Sequence, residues 1–247
     1  MKLKVDGIAF RYEEEPLFKG LSFEVEAGEF VSILGPSGCG KSTVLNLLAG
    51  ILTPEGGSMS VDGAPIRGMS SHFAYMPQND LLFPWKTIMQ NVCLHGRLHG
   101  AEKAAQARAR ELFGLFGLAG YEDAFPSDLS GGMRQRAAFL RTALCDADIL
   151  LLDEPFGALD VISRGDMQDW LVSMKRHLGR TCLLVTHDID EAIFLSDRIL
   201  VLGGRPADIR SEYRVVEEHR TRDWLYSQGE LRKQLHDSIR GLEARQC

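Results

Sequence analysis

The stretch FVSILGPSGCGKSTVLNLLAG, residues 30–50, changes character twice. It opens as an apolar strand, passes through the glycine-rich GPSGCGKST of residues 35–43, and closes with Val44, Leu47 and Leu48 at helical spacing. The loop carries Gly35, Gly40, Lys41 and Ser42 at the positions of the pattern G-x-x-x-x-G-K-S/T. Glycines at those positions let the backbone curl with its N–H groups pointing inward around a phosphate. Lys41 adds a point charge for the β- and γ-phosphates, and Ser42 offers a hydroxyl to Mg²⁺. A glycine-rich turn with an exposed lysine is the bland alternative, and the flanking strand and helix weigh against it. Cys39 sits at a variable place of the loop, with no histidine near it in sequence to make it a nucleophile.

Working outward, ILLLDEP (149–155) is an apolar strand ending in two carboxylates. In an open α/β sheet the carboxyl ends of the strands border the ligand crevice. Strand alternation is expected to point Asp153 and Glu154 in different directions and so give them different tasks. Asp153 is read as supporting Mg²⁺ and Glu154 as orienting and polarising the attacking water. TCLLVTHD (181–188) is a second apolar strand, separated from the first by the helical SRGDMQDWLVSMKRHLG (163–179). Continuous apolar strands alternating with helices predict a mainly parallel sheet covered on both faces, an α/β fold.

The first third reads as short strands, LKVDGIAF, LSFEVEAGEF and GSMSVDG. From Thr87 to Leu118 the spacing turns helical, so residues 79–139 are read as a helical insert between core segments 1–78 and 140–205. Leu231, Leu235, Ile239 and Leu242 follow helical spacing, and residues 206–247 are read as a short helical tail of a single domain.

Composition excludes several classes. The chain has 247 residues, a net charge of −6, and no clustered basic excess of the kind a nucleic-acid coat requires. Its five cysteines, Cys39, Cys93, Cys145, Cys182 and Cys247, contain no C-x-x-C pair, so neither a disulfide framework nor a zinc site is suggested, and a reducing compartment is expected. The start lacks the apolar region of a signal peptide, and no apolar run approaches the roughly 18 residues that span a bilayer.

A second glycine pair lies in DLSGGMRQRAAFL, residues 128–140. A serine before two glycines at a helix start is either an ordinary N-cap or another anion cradle. Tyr12, the loop at 35–43, Gln78, LSGGM at 129–133, ILLLDEP, GALD at 157–160 and THD at 186–188 stand in an order that resembles the ATPase subunits of ABC transporters. The resemblance spans about residues 1–205. It implies a P-loop NTPase (RecA-like) core with an N-terminal antiparallel β subdomain and a helical signature subdomain. It also implies that two subunits pack head to tail, each completing the nucleotide on the other's cradle.

Under that resemblance Tyr12 would stack on adenine, and Gly35, Pro36, Ser37, Gly38, Cys39, Gly40, Lys41, Ser42 and Thr43 would wrap the phosphates of ATP. Ser42, Gln78 and Asp153 would attend Mg²⁺, while Glu154, His187 and Gln78 would form the catalytic set. Ser130, Gly131, Gly132, Met133 and Asp160 would meet the partner subunit's ATP. A strand-edge tyrosine, a turn glutamine, a structural histidine and a helix-capping aspartate are the plain alternatives for Tyr12, Gln78, His187 and Asp160.

The absence of long coiled coils, fused second units and membrane helices resembles a stand-alone bacterial importer subunit. Met133, where glutamine is usual, and the segment NDLLFPWKTIMQNV (79–92) resemble the group importing nitrate, sulfonates and taurine, with relatives moving pyrimidine vitamin precursors. The implied partners are a second copy, integral-membrane permease subunits and, indirectly, a periplasmic or lipoprotein substrate-binding protein. The implied place is the cytoplasmic face of the cell membrane. Pro84 and Trp85 would form a shelf for a permease helix or simply close the insert's core. The rivals are a small-molecule kinase, which has no use for LSGGM or GALD, and a non-transport ABC ATPase on a DNA or ribosomal complex. Arg134, Arg136 and Arg141 on the signature helix are read as a solvated face, and no nucleic-acid partner is expected.

Overall fold

In a computed structural model the structure describes residues 1–217 and 219–243; Cys247 lies outside them. The chain opens with β1 (Leu3–Tyr12), β2 (Glu15–Val25) and β3 (Phe30–Leu34), and α1 (Lys41–Leu48) follows the glycine-rich loop. Next come β4 (Gly56–Val61), β5 (Ala64–Ile66) and β6 (Phe73–Met76). The helices α2 (Ile88–Val92), α3 (Leu94–Leu98), α4 (Glu102–Phe113) and α5 (Gly131–Ala143) form the insert. The core resumes with β7 (Ile149–Asp153), α6 (Val161–Leu178), β8 (Thr181–Thr186), α7 (Ile189–Leu195) and β9 (Arg198–Gly203). It ends with β10 (Asp208–Arg214), α8 (Arg222–Ser227) and α9 (Gly229–Glu243).

Two sheets result. A four-stranded antiparallel sheet has the order β2-β1-β4-β5, and a six-stranded sheet the order β10-β9-β3-β8-β7-β6. Strands β9, β3, β8, β7 and β6 run parallel, and β10 closes the edge antiparallel to β9.

The parallel strands are buried on both faces because their alternate residues feed two cores. Leu150 and Leu152, Cys182 and Leu184, and Phe30 and Leu34 pack with Phe113, Phe139 and Met167 from the insert and α6. Ile149 and Leu151, Leu183 and Val185, and Val31 and Ile33 pack with Val44 and Leu47 of α1 and with the antiparallel sheet. This parity aims the residues at the strand ends. Asp153 continues the Ile149–Leu151 row toward α1, and Thr186 continues the Cys182–Leu184 row toward α6 and α7.

Three expectations change. The boundary drawn at 139/140 cuts through α5, which runs unbroken to Ala143 because Ala137, Ala138, Phe139 and Leu140 all pack in the insert's core. The tail placed at 206–247 as helical opens with the strand β10, which pairs along β9 from Asp208↔Gly203 to Arg214↔Arg198. Arg134 and Arg141 do not lie on a solvated face. Arg134 reaches Leu129 O at 2.8 Å and Asp80 at 3.3 Å, and Arg141 donates to Asp80 O and Leu81 O at 2.6 and 2.7 Å. The signature helix is thereby tied to the segment that follows Gln78.

Candidate nucleotide site

The loop at 35–43 joins the carboxyl end of β3 to the start of α1. Gly40 takes φ 101°, where a side chain is strained, and a Cβ there would lie 2.9 Å from Leu17 Cδ2 and Phe18 Cζ. A Cβ on Gly35 would lie 2.2 Å from the Leu202 carbonyl on β9, so the loop presses against the sheet without room for a methyl group. Lys41 is buried and donates to Gly35 O at 2.9 Å and Pro36 O at 2.8 Å, which holds the loop curled around its ammonium. No side chain caps α1, so its first N–H groups face the curl, as an anion site requires. Pro36 and Cys39 are buried in the loop while Ser37 and Gly38 are exposed, and burial pushes the Cys39 thiol up from its ordinary range.

Tyr12 comes to this loop from the end of β1, with its hydroxyl 3.3 Å from Thr43 Oγ1. Phe10 packs edge-on against its ring at 4.9 Å, and 51% of the residue remains exposed, leaving ring surface open beside the loop.

Strand parity brings Asp153 onto Ser42, whose Oγ donates to it at 2.8 Å. Tyr75 on β6 donates to its other oxygen at 2.9 Å. Burial is the largest influence on Asp153 and pushes its pKa up, opposed by those two hydrogen bonds. A hydroxyl and a carboxylate held together at the mouth of a phosphate loop form the oxygen donor set that Mg²⁺ takes. A cation there would also offset the desolvation of Asp153, so the residues present fit the ion.

Strand β7 stops at Asp153, and Glu154 turns away with φ 42°. That left-handed turn, rather than strand alternation alone, separates the two carboxylates. Glu154 N–H donates to Val185 O at 2.9 Å, fixing the turn on β8. Its side chain lies between His187 Nδ1 at 3.1 Å and Gln78 Nε2 at 3.3 Å. Three residues far apart in sequence therefore meet at the strand ends beside the loop.

Ser130, Gly131, Gly132, Met133 and Asp160 form a second group. Ser130 Oγ accepts from Met133 N–H at 3.3 Å, and Asp160 Oδ1 accepts from Ile162 and Ser163 N–H at 3.1 Å each, so both residues cap their own helices. A hydrogen bond from the Ser163 side chain, followed by those backbone bonds, holds the Asp160 carboxyl below its usual range. Val161 and Ile162, next in the chain, are 85% and 77% exposed, unusual for apolar residues at a helix start. Among the described residues no hydrogen bond or ion pair joins this group to the loop at 35–43 or to Glu154.

The family profile described as ABC transporter matches residues 18–157. The chain belongs to the ABC transporter family. The taurine import ATP-binding protein TauB of Yersinia pestis is 41% identical over 208 residues, 84% of this chain and 82% of the relative. The aliphatic sulfonates import ATP-binding protein SsuB 2 of Agrobacterium fabrum is 44% identical over 200 residues, 81% and 75% of the two chains. The formylaminopyrimidine import ATP-binding protein ThiZ of Halalkalibacterium halodurans is 41% identical over 243 residues, 97% and 95% of the two chains. Among solved structures, the dimeric cassette MJ0796, described as a bacterial ABC transporter cassette, superposes with a TM-score of 0.71 at 28% identity, covering 87% of this chain and 99% of its own. A post-hydrolysis form of that cassette bound to ADP and Pi gives 0.70 at 26% identity, with the same coverage. The two-sheet core with its helical insert is the ABC ATPase fold.

Tyr75 is not singled out by sequence reasoning because β6 is only four residues long; its alternation with Ala74 and Met76 is the signal that points to the residue. Glu191 and Gln168 are not singled out either, since nothing in their spacing links them, and Thr186 is read only as part of THD.

Proposed function

We propose that this chain is the ATP-hydrolysing subunit of a bacterial ABC importer, working as a head-to-tail pair on the cytoplasmic face of separate membrane permease subunits. The observation that carries the reading is the division of the site residues into two groups. Loop, Tyr12, Asp153, Glu154, Gln78 and His187 converge, while Ser130–Met133 and Asp160 point elsewhere on capped helix starts beside exposed apolar residues. Each group is half of a nucleotide site, and two copies packed head to tail make both halves whole.

Tyr12 offers its open ring surface to adenine. The N–H groups of residues 35–43 and the start of α1 receive the phosphates, and Lys41 exchanges its two loop carbonyls for phosphate oxygens. Ser42, Asp153 and Gln78 hold Mg²⁺, which when bound neutralises charge on the β- and γ-phosphates. Glu154 receives a proton from the attacking water, with Gln78 and His187 keeping its carboxylate aimed. From the partner, the Ser130 hydroxyl and the N–H groups of Gly131 and Gly132 close on the γ-phosphate, and Asp160 communicates between the paired sites. Closure and reopening move the insert, to which Arg134 and Arg141 tie the Gln78 segment, and the insert moves the permease. Leu81 and Trp85, 60% and 69% exposed, offer the permease an apolar shelf.

The cargo belongs to the range of the relatives, small sulfonates such as taurine or a pyrimidine vitamin precursor. The formylaminopyrimidine relative matches through the tail and favours the second. Reconstitution with its membrane permease subunits in proteoliposomes tests the whole reading. ATP-dependent uptake of taurine, an alkanesulfonate or formylaminopyrimidine, delivered by its binding protein, is the expected result. A chain that hydrolyses ATP at full rate as a strict monomer, with no permease bound, contradicts it.

A further inference from the structure

Behind His187, on the face of the sheet away from the nucleotide loop, runs a line of buried polar side chains that phosphate chemistry does not use. Thr186, the last residue of β8, is 1% exposed, Glu191 on α7 4%, and Gln168 on α6 6%. The Thr186 hydroxyl donates to Glu191 Oε2 at 2.5 Å and accepts from the Asp188 N–H at 3.0 Å. It therefore bridges the turn that carries His187. Gln168 Nε2 donates to Glu191 Oε1 at 3.2 Å, and Gln168 Oε1 accepts from Arg222 Nη1 at 3.0 Å. Arg222 opens α8 in the tail, where it also donates to Gly165 O at 2.7 Å, pairs with Asp169 at 2.9 Å and lies 4.5 Å over the Phe194 ring.

Each junction has one sense only. Arg222 has donors alone, so the Gln168 amide must turn its oxygen to Arg222 and its nitrogen to Glu191. Above pH 7, where Glu191 is ionised and both its oxygens accept, the Thr186 hydrogen is committed to Glu191, and its lone pairs remain for the Asp188 N–H. Taking this line apart would leave a buried donor or acceptor unsatisfied at every step, so the line moves as a unit or stays.

We infer that Arg222, Gln168, Glu191 and Thr186 form a positioning relay that anchors the His187 turn to the C-terminal tail and so holds His187 against Glu154. These are positioning residues, since none touches the nucleotide loop or Glu154 itself. The inference rests on the proposed roles of His187 and Glu154, and it gives the tail a task, setting how firmly the hydrolytic pair is aimed. A tail displaced by a partner would let go of Gln168 and slacken the turn. Nucleotide binding at residues 35–43 involves none of these residues and is unaffected.

Polarity supplies a test that bulk packing does not. Glu191→Gln keeps the volume yet sets its amide nitrogen either against the Gln168 amide nitrogen or toward Thr186, whose hydroxyl hydrogen then loses its acceptor. Adding Gln168→Glu restores every junction. The carboxylate then at position 168 accepts from both Arg222 and the amide nitrogen at position 191, while the amide oxygen at 191 accepts from Thr186. Thr186→Val removes the bridge outright, and Thr186→Ser keeps it.

The 247-residue chain and these variants are compared at about pH 8, where Glu191 is ionised, by phosphate release under Mg-ATP, with kcat separated from KM and ATP affinity measured directly. In E191Q and T186V kcat is expected to fall about tenfold or more, the scale on which misplacing a catalytic group acts, with ATP affinity held. The double variant Q168E/E191Q and T186S are expected to recover most of the rate. Wild-type kcat in E191Q, or no recovery in the double variant, overturns the relay. Should T186V not fold, the volume-preserving E191Q and double-variant pair decides the matter. A wild-type chain that binds ATP and never hydrolyses it, alone or with its permease, contradicts the proposed function instead.

Discussion

Replacing Glu154 by glutamine should abolish turnover while leaving the nucleotide in place, and the geometry sets the scale of the loss. The carboxylate lies 3.1 Å from His187 Nδ1 and 3.3 Å from Gln78 Nε2. Its backbone N–H stays on Val185 O at 2.9 Å whatever the side chain is, so the left-handed turn survives the change. An amide cannot take the proton of the attacking water, although its oxygen can still accept from Gln78 Nε2. General-base assistance is worth about 10²–10⁴ in rate, roughly 3–5 kcal/mol of barrier. The contacts of Lys41, Ser42 and Thr43 do not involve Glu154, so ATP affinity should change by less than about threefold. With hydrolysis blocked and binding kept, the closed pair should persist for as long as the chemistry is slowed. Single-turnover phosphate release measures the first effect. Light scattering after size exclusion in saturating Mg-ATP measures the second, as a shift from monomer to dimer that wild type shows only briefly. An E154Q protein that stays monomeric at saturating Mg-ATP refutes the shared-site reasoning, and one that releases phosphate at the wild-type rate refutes the role of the carboxylate.

Lys41→Met removes the donor that Gly35 O and Pro36 O share at 2.9 and 2.8 Å, along with the charge intended for the phosphates. Hydrogen bonds to a charged group contribute about 1.5–3 kcal/mol, so calorimetric titration should show ATP affinity down at least tenfold, together with a lower melting temperature in the free protein. Tyr12→Phe keeps the stacking surface and should bind ATP nearly as wild type, whereas Tyr12→Ala should lose about 1–3 kcal/mol, read by competition with a fluorescent ATP analogue. Glu191 gives a pH signature in stability. Burial pushes its pKa up from 4.5 to about 7, so between those values the folded chain holds a proton that the unfolded chain has released. Stability from this group is full below the unfolded value and is lost as pH rises through the folded one, by roughly 3 kcal/mol in total. The melting temperature of E191Q relative to wild type should therefore climb between pH 5 and pH 7.5, and a flat difference would deny the buried carboxylate.

Much of this arrangement is legible because its decisive parts are local. The β3–loop–α1 unit announces itself in one stretch of residues 30–50, and ILLLD and TCLLVT are apolar without interruption because both of their faces are covered. Period-two parity then carries Asp153 to Ser42 with no further information. What is not legible depends on partners that sequence does not order. Strand β10 reads DIRSEYR, with alternate residues exposed, as an edge strand should be, and so resembles a polar tail. Arg134 and Arg141 look solvated until the 79–82 segment folds back to present Asp80 and two carbonyls to them. Gln168 and Glu191 read as ordinary polar residues of two helices, and only packing α6 against α7 makes them adjacent.

The capping of Ser130 and Asp160 bears on whether these residues are ordinary helix starts or half of a shared site. A cap satisfied within its own helix could be taken as evidence that nothing else is intended there. The chemistry of a hydroxyl argues otherwise. Ser130 Oγ spends one lone pair on the Met133 N–H, and its own hydrogen remains for an acceptor outside the chain. That bond also holds the side chain's rotamer, so the oxygen is in place and its hydrogen is free to turn toward an acceptor. Gly131 and Gly132, next to it, keep their N–H groups on the open end of α5 with no side chain in the way, and the helix dipole adds to their pull on an anion. An exposed cap that is merely structural has no need of two glycines behind it, since alanine is the better helix former. On the proposed reading, capping is the means by which the signature is pre-organised, and the exposed Val161 and Ile162 beside it supply apolar surface that a second copy would cover.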